Sequence, residues 1–516
     1  MSNTSPSRKV ANPKLTLYAF HLRNNLAQGL QEPVKNANFL WEQCQRVGQK
    51  LGIPRLESLM KRLQGSNGSI GVSLDLNNQL NDYLELLPPN EEGQRLLHFS
   101  AIPNGSLLHL KGEVYPLQIH DSYAIDITLR YPYPNVEIAQ LSGLNPQGCL
   151  LPSEIQASLG QTLILFAQPV GKVKNHQEFA DACITALLPQ PEAEKLLLSE
   201  PASGKFLGSP IFEYDNGEDS IANSCHVLVW LNCDIETEKL EEKGDYYHPL
   251  INLLCCRVKI IYSYREARWC NHQARRLYTQ LEAKVKDIKN LPDELEERLK
   301  TLKFVLTEIQ QLSFEYSCYL RDLKLQRNTI EVNAKNYRLW LSKINDLSIK
   351  NQDNLEFCEQ FLKRTEYNIK EQIRVDLGYL TPAKQLFEEM IATIRGIVEI
   401  EQAESDRVQQ TAAEKRQERS ELLISVVSTG LAVSGVSSQV ASEPVKNIIT
   451  KLAKDNPSNS SDSPLAVSLT YLSYYNFLDV LFHVAIGVIF ALPVGAIVWC
   501  IQKRSKRHYR MGNKQG

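Results

Sequence analysis

From Leu295 to Ile344, steps of alternating four and three residues land on Leu295, Leu299, Leu302, Leu306, Ile309, Ser313, Tyr316, Leu320, Leu323, Arg327, Ile330, Ala334, Tyr337, Leu341 and Ile344. Thirteen of these fifteen positions are apolar or aromatic, with Ser313 and Arg327 as the interruptions. A seam kept over seven heptads commits this stretch to one long α-helix. Such a helix cannot bury its stripe alone. It needs neighbours, either antiparallel helices of the same chain or copies of it in an oligomer.

The flanking sequence supplies helices. Between Pro249 and Val440, prolines occur only at 249, 292 and 382. The pattern predicts helices over about 249–290, 293–346, 353–377 and 382–440, a helical coiled-coil stalk filling 249–420. Pro249 and Pro382 suit a first helical turn, the latter behind Thr381 as N-cap. "NLPDELEERLKTLK" puts carboxylates in a first turn, where the helix dipole favours them; they do not form a catalytic dyad.

The chain before this region reads differently. Residues 1–14 are polar and basic, predict a disordered tail and contain no apolar core of a signal peptide. In "YAIDITLRY" (Tyr123–Tyr131) apolar and polar residues alternate, predicting a half-exposed strand. "TLILFAQ" (Thr162–Gln168) and "HVLVWLN" (His226–Asn232) are continuous apolar runs, as in buried strands. Ala37–Gly52, Leu56–Gln64 and Gln177–Leu188 carry helical patterns. The expected fold class is α+β: a mixed α/β N-terminal cytosolic domain over 15–240, the helical stalk, and a C-terminal two-helix transmembrane hairpin.

The hairpin is expected at 421–441 and 480–501, separated by an outer loop at 443–479 and followed by a basic tail at 502–516. Leu422–Val440 contains 19 residues and Val480–Ile501 contains 22, all without a fixed charge. At about 1.5 Å per residue each crosses about 30 Å of hydrocarbon. Lys503, Arg504, Lys506, Arg507 and Arg510 follow the second stretch, and Lys415, Arg416 and Arg419 precede the first. This bias predicts a multi-pass protein of an inner, plasma or thylakoid membrane with both termini cytoplasmic. Gly430, Ser434 and Ser438, and Gly487, Ala491 and Gly495, recur every four residues as helix-packing or pore-facing positions. His483 is an ionisable group within the second stretch and a candidate functional residue.

This layout, from about residue 230 to 510, resembles the CorA-type magnesium channel family. That family's Gly-Met-Asn signature is absent, and "SSQVASEP" stands in its place, so no filter residue carries over. "IHDSYAIDITLRYPYPNVE", "LNPQGCLLPSEIQASLGQTLILFAQP", "GDYYHPLINLLCCRVKI" and "ERSELLISVVSTGLAVSG" are similar to a group of uncharacterised two-span membrane proteins from cyanobacteria. That resemblance implies no active site.

Chemistry is sparse. The balance of 57 basic and 59 acidic residues argues against a nucleic-acid partner. Eleven cysteines form no C-x-x-C pair and read as small buried hydrophobes of a reducing compartment. Phosphate-loop, dinucleotide and nucleophile-elbow motifs are absent. Cys270 and His272 point about 200° apart on a helix, unsuited to one zinc ion. "DYYHP" (Asp245–Pro249) reads as a helix start capped by Asp245 or as a ligand-contacting aromatic cluster. "YREARWCNHQARR" (Tyr264–Arg276) reads as a solvated face or a surface for anions or lipid headgroups. No catalytic residue, cofactor or metal is expected.

The expected function is a non-enzymatic integral membrane protein whose cytosolic domain acts as a sensor or scaffold on its stalk. Its expected partners are the lipid bilayer, further copies of itself and a cytosolic ligand or protein. The alternatives are a CorA-like oligomeric ion channel or transporter, and a membrane-tethered enzyme.

Overall fold

The computed structural model describes residues 8–24, 33–63, 83–102, 108–218, 220–347 and 353–407. The chain forms two compact units. One comprises Met1–Asn271 and Arg321–Leu377; the other comprises His272–Leu320 and Gly378–Gly516. The division cuts through long helices instead of falling near residue 240.

The first unit is built on a ten-stranded mixed sheet. Its strands are β1 (Lys9–Leu22), β2 (Tyr83–Glu85), β3 (Leu97–Ala101), β4 (Leu110–Ile119), β5 (Ser122–Arg130), β6 (Val136–Glu137), β7 (Gly160–Pro169), β8 (Ala202–Phe206), β9 (Ser209–Asp215) and β10 (His226–Leu231). The order is β2-β4-β5-β1-β7-β10-β9-β8, with β3 added on β4 and β6 on β1. Among the described residues, only the β7–β10 pairing is parallel. Strand β1 starts at Lys9, inside the expected tail. Val10 is fully buried and pairs with Val136 and Pro169, and the register shifts between Ala11 and Lys14. Asn12, with φ 46°, takes up that shift, a conformation asparagine tolerates.

One sheet face carries Leu15, Leu17, Ile125, Ile127, Leu163, Leu165, Val227 and Val229. Helices α1 (Phe39–Leu51), α2 (Pro54–Glu57), α3 (Leu59–Arg62), α4 (Pro152–Ile155), α5 (His176–Leu187) and α6 (Gln190–Leu197) contribute Leu40, Trp41, Leu56, Phe179 and Ile184 to the same core. Each large apolar side chain buried there stabilises the fold by about 1.5–3 kcal/mol. After α7 (Ile235–Lys243), helix α8 (Tyr247–Lys289) lies on the opposite face, where Tyr247 meets Tyr18 and Tyr246 meets Trp230. Strand β5 is therefore buried on both faces from Ser122 to Leu129, which corrects its expected half-exposure. Its polar residues point at a helix.

Helix α9 (Leu295–Asp346) reproduces the seam: ten of its thirteen apolar positions are buried. Ser313 and Arg327 are half-buried. Helix α10 (Glu356–Arg364) runs through a π-helical turn at Thr365–Ile369 into α11 (Lys370–Arg407). Pro382 lies inside α11 and does not start a helix, although its missing N–H leaves the Gly378 carbonyl without its helical donor. In the second unit, Tyr316 of α9 stacks beside Phe387 at 5.1 Å and donates a hydrogen bond to the Leu380 carbonyl at 2.7 Å. Arg298 pairs with Glu401 at 3.1 Å, and Lys284 with Glu308 at 2.7 Å.

The membrane readings are corrected by this structure. Among the described residues, no helix is long and apolar enough to cross a membrane. The long helices interleave charge with apolar residues, as at Arg257, Lys259, Arg265 and Glu266 of α8. The integral-membrane sensor or scaffold, the multi-pass localisation, the CorA-like channel or transporter and the membrane-tethered enzyme therefore find no support here. The segments 421–441 and 480–501, with Gly430, Ser434, Ser438, Gly487, Ala491, Gly495 and His483, lie outside the described residues.

Candidate functional site

Two helix faces and three strand ends enclose a cavity of about 200 Å³ in the first unit. On α8, Lys259, Tyr262, Ser263, Glu266, Trp269 and Cys270 line it, a three-and-four spacing that places them on one side. Asp322, Leu325, Gln326 and Thr329 do the same on α9. Leu22 ends β1, Asp121 turns β4 into β5, and Leu159 precedes β7; these close the far wall. The turn at Asp121 is held by its own carbonyl, which accepts hydrogen bonds from Arg23 N at 3.0 Å and Asn24 N at 3.2 Å.

The charges of this site are unequally engaged. Lys259 Nζ donates to Asp121 Oδ1 at 2.5 Å, and Ser122 Oγ donates to the same carboxylate oxygen at 3.0 Å. Burial alone would raise Asp121, but Lys259 and these hydrogen bonds hold it below the usual carboxylate range. Burial alone would lower Lys259, but Cys255 and Asp121 outweigh it and raise the ammonium. The pair thus stays ionised and satisfies itself. Asp322 is engaged by Arg321 Nη2 at 2.8 Å.

Glu266 is different. It has no ion pair among the described residues, and partial burial raises its carboxyl. Gln326 Oε1 is buried with no hydrogen-bond donor among the described residues. A buried polar group left this way costs about 1–3 kcal/mol. The remaining wall combines Leu22, Leu159, Leu325, Tyr262 and Trp269, the last at 53% exposure, with the hydroxyl side chains of Ser263 and Thr329. Burial pushes the Cys270 thiol up to about 12, which leaves it unreactive at neutral pH.

No protein-family model, curated protein or solved structure matches this chain. Function is therefore read from the chemistry of the site itself.

Two further polar clusters lie on the α8-facing side of the sheet. In the first, Thr162 Oγ1 sits 2.8 Å from His226 Nδ1, and His226 Nε2 sits 2.9 Å from Glu213 Oε1. A hydroxyl, an imidazole and a carboxylate in series mimic a nucleophilic triad. Thr162 is fully buried, however, and the void beside His226 and Glu213 is only about 30 Å³, too small for a substrate. Arg257 joins this network, 2.6 Å from Asp215 and 3.4 Å from Glu213.

In the second cluster, the structure brings "DYYHP" onto the sheet. Tyr247 lies 6.2 Å from Tyr18 and 6.1 Å from Tyr115, ring to ring; His248 lies 5.1 Å from both Tyr83 and Trp340. Asp245 pairs with Lys243 at 2.6 Å. Beneath them, burial pushes Asp126 up to about 7. Tyr247 Oη is buried near Asp126 but makes no hydrogen bond of ordinary length. The void beside Tyr18 and Tyr246 is about 20 Å³, room for about one water.

The segment "YREARWCNHQARR" divides its duties. Arg268 pairs with the buried Asp376, and Arg265 donates to the Glu218 carbonyl at 2.7 Å, so both arginines serve the fold. No group of three metal-ligating side chains occurs among the described residues. Of ten described cysteines, none is in a disulfide and eight are buried. Glu266 and Gln326 were missed in sequence because each looks like an ordinary helix-surface residue. Their signal is shared spacing on two helices, which becomes meaningful only once those helices are paired.

Proposed function

We propose that this chain is a small-molecule-binding protein and that the cavity between α8 and α9 in the first unit is its binding site. The observation that carries this reading is an open cavity of about 200 Å³ whose wall holds Glu266, a carboxylate without an ion pair among the described residues. A cavity of about 150 Å³ holds benzene, so this one suits a compact metabolite. The reading is of binding without chemistry: the one thiol in the wall is held protonated, and the triad-like threonine is fully buried.

Ligand that binds only the folded state stabilises it by mass action. Full-length protein equilibrated with a mixture of small polar metabolites should retain a bound species in native mass spectrometry. Thr329→Phe, which fills the cavity from α9, should remove that species while leaving the circular-dichroism spectrum unaltered. Identical bound species in both proteins would place the ligand elsewhere and refute the assignment.

A further inference from the structure

We infer that the ligand of this cavity is a small cation with an apolar body, its ammonium or guanidinium paired with Glu266. The inference rests on the ligand-binding reading above and specifies its chemistry. Four acidic or basic groups line the cavity, and two of them, Lys259 and Asp121, neutralise each other at 2.5 Å. No cation in the wall is left to receive an anion. Asp322 already has Arg321. Glu266 is the carboxylate without an ion pair, and it stands one helical turn from Trp269 on α8.

Thr329 Oγ1 already donates to the Leu325 carbonyl at 3.0 Å. A ligand that brings N–H groups satisfies Glu266; a carboxylate or phosphate meets it as a like charge. Leu22, Leu159 and Leu325 accommodate an apolar body, and Trp269 and Tyr262 offer ring faces that attract a cation. The volume sets the scale: slightly more than benzene requires.

Three probes of matched size separate charge from shape: benzylammonium chloride, benzyl alcohol and sodium benzoate, each titrated calorimetrically into the full-length protein at pH 7.5 and low salt. Benzylammonium should bind at least tenfold more tightly than benzyl alcohol, and benzoate more weakly than either. Glu266→Gln should remove the benzylammonium advantage, a loss of about tenfold, while benzyl alcohol binding stays unaltered and so reports an intact cavity. Equal affinity for benzylammonium and benzyl alcohol, or an unaltered benzylammonium affinity in Glu266→Gln, overturns the cation assignment and leaves the binding site standing. If none of the three binds, the binding-site reading falls with it.

Discussion

Thr128 Oγ1 donates a hydrogen bond to Asp126 Oδ1 at 2.9 Å, and both residues are buried on the same side of strand β5. Thr16 Oγ1 lies a further 2.9 Å from Thr128 Oγ1 across the pairing with β1. The carboxyl therefore sits in a polar seam closed by Tyr247 of α8, with its ionised form disfavoured by burial.

This gives Asp126 a direction in pH. Its folded value, about 7, lies above its ordinary 3.8, so its contribution to stability is full below 3.8 and is lost as pH rises through about 7. Asp126→Asn retains an acceptor for Thr128 and removes the ionisation. The variant should unfold at a higher temperature than the natural protein at pH 8, by the equivalent of about 2–4 kcal/mol. The two should converge toward pH 4. Parallel melting curves from pH 4 to 8, with no widening gap, would contradict this account.

Arg257 should behave oppositely. Burial alone would raise Asp215, but Arg257 and His226 bring it to about 2, and Glu213 is lowered as well. Arg257→Met strands two carboxylates, which should cost about 3–5 kcal/mol at pH 7 in urea unfolding. Asp215's stabilising contribution is present above 3.8 and lost as pH falls through about 2. The deficit of the variant should therefore shrink on acidification. A variant as stable as the parent at pH 7 would mean that the ion cluster contributes nothing net.

The β8–β9 turn makes a local test. Leu207 and Gly208 both have positive φ, 49° and 87°, the pattern of a tight hairpin turn. Asp353 accepts hydrogen bonds from Leu207 N at 2.8 Å and Gly208 N at 2.7 Å. Asp353→Ala should cost about 1–3 kcal/mol. It should also speed hydrogen exchange at those two amides ahead of the β9–β10 ladder; unaltered exchange there would rule out the clamp.

In the second unit, Tyr316→Phe removes the hydroxyl that serves the Leu380 carbonyl but keeps the ring against Phe387. The expected loss is about 1 kcal/mol, independent of pH between 5 and 8 because no charge is involved. Pairing this variant with Phe387→Leu measures the ring contact separately in a double-mutant cycle. A pH-dependent loss would point to a titrating partner that the geometry does not contain.

The long helices were legible because their information is local and repeated. The seam from Leu295 to Ile344 states its own period, and α9 begins and ends within two residues of the predicted limits. Strands β7 and β10 were legible for the same reason, as unbroken apolar runs. Asp126 was not. Alternation assigns the polar side of a strand to water, and nothing near β5 announces that Tyr247, far along the chain, will cover it. Pro382 misled in the opposite way: local preference placed a helix boundary where packing of Leu380, Ala383 and Phe387 keeps α11 continuous. Glu266 and Gln326 required pairing of α8 with α9, a relation that neither helix encodes by itself.

The last strand of the sheet to appear in the chain, β10, occupies an interior position, with Val227 beside Leu163 of β7 and Tyr214 of β9. The β8–β9 hairpin precedes it in sequence yet joins the sheet only through it. A nascent chain can close β4 on β5 at once, but must hold the apolar margin of β7 open until Leu231 has been made. That wait leaves Leu163, Leu165 and Phe166 on an unpaired strand edge, the kind of edge that templates aggregation until a neighbouring strand covers it.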